Sequence, residues 1–296
     1  MRTPPRLQKG DLIALASPAR SIKREELKTA VDLIKNRGYR VRVDPEVTAV
    51  HHQFAGNDYL RASHFQKLID NPEVKAIFCT RGGYGSLRII DKLDFSAFRR
   101  RPKWIVGFSD ITAIHAALQH MAVESLHACM PVNFDSSTDE ALQSLFDCLE
   151  GKKPEYTAPH HAFNRFGQSE GLLVGGNLSI LYCLKGSYIF PKTKENILLI
   201  EDLDEYLYHI DRMILSMKRA GVFEGLSGLV VGGMTGMNDN QVPYGQTAEE
   251  IIREHVAGYD FPVCYGFPSG HIADNRALAL GKHVELIVNE NGCSLR

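Results

Sequence analysis

Residues 11–80 read DLIALASP (11–18), EELKTAVDLIKNRG (25–38), YRVRVDP (39–45), YLRASHFQKLIDNP (59–72) and VKAIFCT (74–80). Short β-branched runs alternate here with amphipathic stretches, which is the βαβ pattern of a parallel sheet covered by helices. Working outward, the alternation continues through SLRIIDKLDF (86–95), KWIVGFSD (103–110), ITAIHAALQHM (111–121) and ESLHACMP (124–131). Apolar positions in the middle segments recur as a buried helix face requires. A first α/β domain is therefore expected over residues 1–150.

Residues 151–169, GKKPEYTAPHHAFNRFGQS, lose all periodicity and collect Pro, Gly and polar residues, so they read as a linker. A second, mixed α/β domain is expected over 170–296. Its strand candidates are NILLIED (196–202), LSGLVVGG (226–233) and ALALGKHVELIV (277–288). YLYHIDRMILSMKRAG (206–221) and TAEEIIREHVAG (247–258) read as helices, the first closed by Gly221. No internal repeat, low-complexity tract or heptad run is present, and the last residues are expected to form a strand pair.

The chain has 296 residues, 44% hydrophobic and 23% charged, enough for a substantial core. Lys plus Arg number 34 against 35 Asp plus Glu, so no overall field favours nucleic acid or an anionic membrane. The apolar run near the start is short and broken by Pro18, and no run long enough to span a membrane follows, which predicts a cytoplasmic protein. Cys79, Cys129, Cys148, Cys183, Cys264 and Cys293 are scattered without a C-x-x-C pair, which predicts reduced, buried thiols.

In KWIVGFSDITAIHAAL an apolar strand runs through Gly107 and Phe108 into Ser109 and Asp110, and a helical pattern starts at once. A serine at such a strand-to-helix turn presents its hydroxyl at the sheet edge, beside unsatisfied backbone N–H groups able to stabilise an oxyanion. The fifth position of the turn is Ile111, where the hydrolase G-x-S-x-G elbow has glycine. Ser109 or Asp110 as a plain helix cap is the competing reading.

The loop Thr80, Arg81, Gly82, Gly83, Tyr84, Gly85 falls between a buried strand and a helix, at the carboxyl edge of the expected sheet, where open α/β folds bind ligands. Its paired glycines can offer N–H groups to an anion or oxyanion. A P-loop ending is missing, and a simple tight turn competes. Glu201 is the first polar residue after the apolar run NILLI, so a carboxylate there can be partly buried and aimed, although an acidic helix start also explains the segment. His271 lies in the turn Pro268, Ser269, Gly270, from which a side chain can reach a cleft. Asn275 can brace that loop or make an Asx-turn. His51, His52, His160 and His161 lie in polar connections, while His115, His127 and His209 fall within or beside regular elements. None has zinc-ligand spacing, so neither metal nor cofactor is expected.

Taken together, TRGGYG, IVGFSDIT, LVGGNLS (173–179), LLIEDLDE (198–205) and GFPSGH (266–271), in this order and spacing, resemble the L,D-carboxypeptidase family of serine peptidases. That family includes muramoyltetrapeptide carboxypeptidases and microcin C immunity hydrolases. The resemblance spans nearly the whole chain. It implies an N-terminal α/β domain carrying the nucleophile Ser109 and a C-terminal β-rich mixed domain carrying the triad acid Glu201 and the base His271. It further implies an oxyanion hole from the backbone of Gly83 and Asp110, and a homodimer.

The expected activity is release of the terminal D-alanine from murein tetrapeptides in cell-wall recycling, with a small peptide as substrate and neither nucleic acid nor membrane as partner. Arg81 is a candidate for the terminal carboxylate, with Gly82 and Asn177 as further substrate-side candidates; a surface ion pair for Arg81 and a turn role for Asn177 compete. The rival within the family is an amidase acting on a peptidyl or aminoacyl nucleotide. Outside it stands a non-catalytic small-ligand binding protein, which would not need Ser109, Glu201 and His271 together.

Overall fold

The computed structural model describes residues 1–296. The first half forms β1 (Leu12–Ala16), α1 (Lys28–Asn36), β2 (Arg40–Arg42), α2 (Asp58–Asp70), β3 (Val74–Cys79), α3 (Ser96–Arg100), β4 (Trp104–Gly107), α4 (Thr112–His120), β5 (Ser125–His127) and α5 (Asp139–Leu149). Its strands are apolar on both faces because helices cover both sides of the sheet. SLRIIDKLDF makes two short 3₁₀ turns in place of a full helix.

The second half forms β6 (Tyr156–Ala158), β7 (Gly167–Asn177), α6 (Leu178–Leu184), β8 (Ile197–Leu203), α7 (Leu207–Arg219), β9 (Gly228–Thr235), α8 (Ala248–Val256), β10 (Val263–Cys264), β11 (Leu278–Leu280), β12 (His283–Asn289) and β13 (Gly292–Leu295). A capping box between Thr247 and Glu250 starts α8.

Two sheets result. The first has the order β11-β5-β4-β3-β1-β2, parallel except for β11, and the second the order β10-β9-β8-β7-β12-β13-β6, parallel from β10 to β7 and antiparallel beyond. The expected two-domain α/β class, a mostly parallel sheet followed by a mixed one, is the observed class.

The segment 151–169 is more than a connection, since it supplies β6 and the first residues of β7. Its edge strand is only three residues long, too short for a period to show in the sequence. ALALGKHVELIV divides at Gly281 and Lys282: β11 crosses to pair with β5 of the first sheet, while β12 stays in the second. The second sheet also curls, so that an antiparallel bridge joins Arg165 to Val263 and brings its two edges together. Tyr156, Leu199, Val230, Phe267 and Leu286 fill the inside of the curl, and α6, α7 and α8 cover the outside.

That curl corrects the expectation of free thiols throughout. Cys264 on β10 and Cys293 on β13 are joined as a disulfide with Cα atoms 6.1 Å apart, whereas Cys79, Cys129, Cys148 and Cys183 are free. The partners are 29 residues apart in sequence and become neighbours only when the sheet closes on itself.

Candidate active site

Ser109 follows β4 after one residue, Phe108, and opens the turn into α4. Its φ is +62°, a left-handed conformation that costs a non-glycine residue energy and recurs at nucleophile elbows. Surrounding contacts hold it there. His115, fully buried on α4, bonds the Gly107 carbonyl through Nε2 and Ser125 Oγ through Nδ1, both at 2.8 Å. Burial pushes this imidazole down to about 3, so it is neutral, with its proton on Nε2 donating to Gly107 and Nδ1 accepting from the serine.

Asp110 fastens the turn to the glycine loop: its buried Oδ2 accepts from Ser86 N at 2.8 Å. Burial holds the Asp110 carboxyl above its ordinary range. Arg61, also buried, donates to the carbonyls of Gly85 and Pro18 and pairs with Asp58. The loop is thereby pressed on the serine, and a methyl group added at Gly82 would come within 3.1 Å of Ser109 Oγ and 3.4 Å of Asp110 N.

Glu201 stands near the end of β8, fully buried. The β8–β9 register shifts between Ile200 and Asp202, where Gly232 and Gly233 bulge opposite Glu201. Into that bulge fits the turn carrying His271, with Gly233 N donating to Ser269 O at 2.9 Å and Gly270 N to Asn275 Oδ1 at 2.8 Å. Asn275 thus braces the loop. The result is a 2.6 Å hydrogen bond between His271 Nδ1 and Glu201 Oε2, with the imidazole 15% exposed and the carboxylate closed off.

Burial alone would raise the Glu201 carboxyl, but His127 and His271 outweigh it and hold the group down at about 2. Burial alone would lower the His271 imidazole, and the Glu201 hydrogen bond and charge reverse this, leaving it above its ordinary value. Asp202 goes the other way, pushed up to about 7 by burial and by the Glu201 charge beside it.

The serine and the histidine approach from different sheets. Phe108 packs its ring 4.8 Å from that of His271. Ser109 Oγ makes no hydrogen bond to the imidazole in this arrangement. A cavity of about 310 Å³ opens beside Phe108 and His271, lined also by Cys129, Asn133, Ser137 and Leu203.

The remaining residues singled out in the sequence divide. Arg81 is engaged within the fold, donating to Ser21 O at 3.1 Å with Glu26 4.0 Å away. Asn177 caps α6, accepting from Ile180 N at 3.1 Å, and donates to Asp202 Oδ1 at 2.9 Å, while its own N–H bonds Thr112 Oγ1 across the sheets. Two residues near the site were not legible in the sequence. Arg20, exposed and without an ion pair, lies across Gly83, whose φ of +103° and lack of a Cβ let the arginine through. His127, on β5, faces Glu201 from the side opposite His271.

Asp44, Glu46 and His64 are the one group with potential metal-ligand atoms clustered, all within 4.8 Å. Arg42 already donates to both Asp44 oxygens at 2.8 and 3.0 Å and Lys67 stands 3.8 Å away, so this carboxylate is compensated without a cation from solution.

Comparison with known proteins agrees with the two-domain α/β fold. The LD-carboxypeptidase N-terminal domain model matches residues 12–128, and the C-terminal domain model matches residues 170–286. The chain belongs to the LD-carboxypeptidase family. It is therefore a hydrolase of a serine peptidase family. A probable murein peptide carboxypeptidase of Bacillus subtilis is 30% identical to this LD-carboxypeptidase family member over 94% of the chain and 89% of the relative. The crystal structure of muramoyltetrapeptide carboxypeptidase from Oxalobacter formigenes superposes with a TM-score of 0.85 at 27% identity, covering 96% of this chain and 97% of that one. The microcin C7 self immunity protein MccF in complex with aspartyl sulfamoyl adenosine superposes at 0.87, with 99% of this chain and 97% of that one covered. At 22% identity that likeness shows the shared fold alone.

Proposed function

We propose that the protein is a serine L,D-carboxypeptidase that removes the terminal D-alanine from a murein tetrapeptide, with Ser109, His271 and Glu201 as its triad. The observation that carries this reading is the buried Glu201–His271 pair beside a serine held at positive φ on an elbow. His271 Nε2 takes the Ser109 proton as Oγ attacks the carbonyl of the penultimate residue, and Glu201 stabilises the imidazolium that forms. The N–H groups of Gly83 and Asp110 receive the oxyanion. The imidazolium then protonates the departing D-alanine amine. Water, deprotonated by the same histidine, releases the peptide from the acyl-enzyme. Catalytic hydrogen bonds of this kind are often long before substrate binds and tighten in the complex.

On this reading residues 1–150 supply the nucleophile and 170–296 the acid and base, joined through 151–169, in a cytoplasmic homodimer that needs no metal or cofactor. The terminal carboxylate falls to Arg20, the unpaired cation against the glycine loop, in preference to Arg81, which already has partners. Gly82 completes the substrate side of the site, while the buried Asn177, whose side chain is spent on Ile180 N and Asp202, stays within the fold.

The test is incubation of the native protein, Ser109→Ala, Arg20→Ala and Arg81→Ala with L-Ala-γ-D-Glu-meso-diaminopimelate-D-Ala, as free acid and as C-terminal amide, followed by mass spectrometry. The native protein is expected to release D-alanine, and Ser109→Ala to lose at least about 10⁴-fold in kcat. Arg20→Ala should lose most on the free acid and little on the amide, with Arg81→Ala close to native. Unchanged turnover in Ser109→Ala ends the triad assignment. No D-alanine release, together with cleavage of an aminoacyl sulfamoyl adenosine, would move the substrate to the nucleotide class.

A further inference from the structure

His127 is completely buried at the end of β5 in the first sheet, and Glu201 is completely buried on β8 in the second. His127 Nε2 stands 3.7 Å from Glu201 Oε1, the carboxylate oxygen that His271 does not use. Neither atom has another hydrogen-bond partner. The other ring nitrogen, Nδ1, lies 3.3 Å from Ser269 Oγ, in the turn that carries His271. Phe108, the residue before the nucleophile, sits edge-on to His127 at 5.8 Å and against His271 at 4.8 Å, so the two imidazoles flank one aromatic ring as well as one carboxylate.

Two orphaned buried polar atoms facing each other are costly, and a shift of about 0.8 Å would turn 3.7 Å into an ordinary hydrogen bond. The acceptor is the acid of the proposed triad, and the donor comes from the sheet that carries Ser109. We infer that His127 is a positioning residue: with its proton on Nε2 it donates to Glu201 Oε1, clamps the carboxylate between two imidazoles, and registers the second sheet, with its acid and base, against the nucleophile. The inference rests on the triad reading.

Its chemical consequence has a sign. A donor on Oε1 drains negative charge from the oxygen facing His271, so it lowers the proton affinity of the Glu201–His271 pair. Removing the donor raises that affinity, and the acidic limb of kcat/KM moves to higher pH. The other titratable groups facing this cluster are Asp202, next to Glu201 on β8, and His115, on α4. His115 is held neutral by burial and spends its ring nitrogens on Gly107 and Ser125, and Asp202 bonds Asn177 and Ser179, so neither takes the place of the His127 donor.

The test uses His127→Phe, His127→Asn and His127→Gln in the full-length protein with the tetrapeptide substrate, and Glu201→Gln as control. Phenylalanine keeps the ring without a donor. Asparagine places an amide near Nδ1 and reaches only Ser269, whereas glutamine places one near Nε2 and reaches Glu201. Phe and Asn variants are expected to lose about ten- to a hundred-fold in kcat/KM at pH 7, the worth of one hydrogen bond to a charged group, with the acidic limb raised by about one pH unit. Glutamine should restore the limb. Native limbs in the Phe and Asn variants, with Glu201→Gln inactive, would overturn the inference and leave the triad standing. Native activity in Glu201→Gln would remove both. If the variants do not fold, nitrogen-15 NMR of histidine-labelled native protein decides: a protonated, slowly exchanging Nε2 on His127 is expected, and an unprotonated Nε2 overturns the proposal.

Discussion

Ser109 at φ +62° and His271 on Glu201 are single-residue features with single-residue consequences. The proposed base must be neutral to accept a proton, and Glu201 holds the His271 pKa above its ordinary 6.5. In a pH series of kcat/KM, activity should therefore fall on the acid side with an apparent pKa above 6.5, and a limb at or below that value would contradict the pairing. The same shift predicts a stability profile. A raised histidine pKa stabilises the fold fully below about 6.5, its unfolded value, and the contribution is lost as pH rises through the folded pKa. Glu201, depressed from 4.5 to about 2, contributes above 4.5 and loses its contribution as pH falls through that window. The thermal stability gap between the native protein and His271→Gln should accordingly narrow as pH rises above neutrality. At this scale the sequence named Ser109, Glu201 and His271 through its motifs. It passed over His127 and Arg20 because nothing local distinguishes a histidine at the end of a strand or an arginine in a loop.

Among the elements, the turn Phe267–His271 and the bulge in β9 act as one unit. Gly270 has φ +101°, and a Cβ there would meet Glu201 Oε2 at 2.6 Å. Gly270→Ala should therefore cost about 1–3 kcal/mol of stability and displace His271 from Glu201, lowering kcat by more than ten-fold while KM changes little. Denaturant titration with steady-state kinetics checks this, and a native kcat would show that the turn tolerates the displacement. The helices and apolar strands were legible because their periods are carried by many residues, as in α7 and β8. β6 and the division of ALALGKHVELIV were not. A short edge strand offers too few positions for a period, and whether Leu278 and Leu280 join the first sheet or the second depends on which sheet is near.

At the level of the whole molecule, the candidate site exists only where two sheets meet, and contacts from several elements hold them in register. β11 pairs with β5, Asn177 N bonds Thr112 Oγ1, and His127 faces Glu201. The curl of the second sheet, closed by Cys264 and Cys293, holds β10 and the His271 turn that follows it. Closing a loop across a separation of 29 residues is worth about 3–4 kcal/mol, so dithiothreitol should lower the Tm of oxidised protein by about 5 °C. Thiol titration of the denatured, unreduced protein should count four free thiols of the six cysteines, and six would show that the bond does not form.

The sequence by itself determined the alternating α/β class, the order of the two domains and the family, because hydrophobic period and motif order are properties of neighbouring residues. Only the tertiary structure decided the left-handed backbone at Ser109, the second imidazole on Glu201, the strand shared between the sheets and the joined cysteines. Each of these depends on distance in space between residues far apart in the chain, or on strain imposed by surrounding contacts, and neither is written in any local stretch of residues.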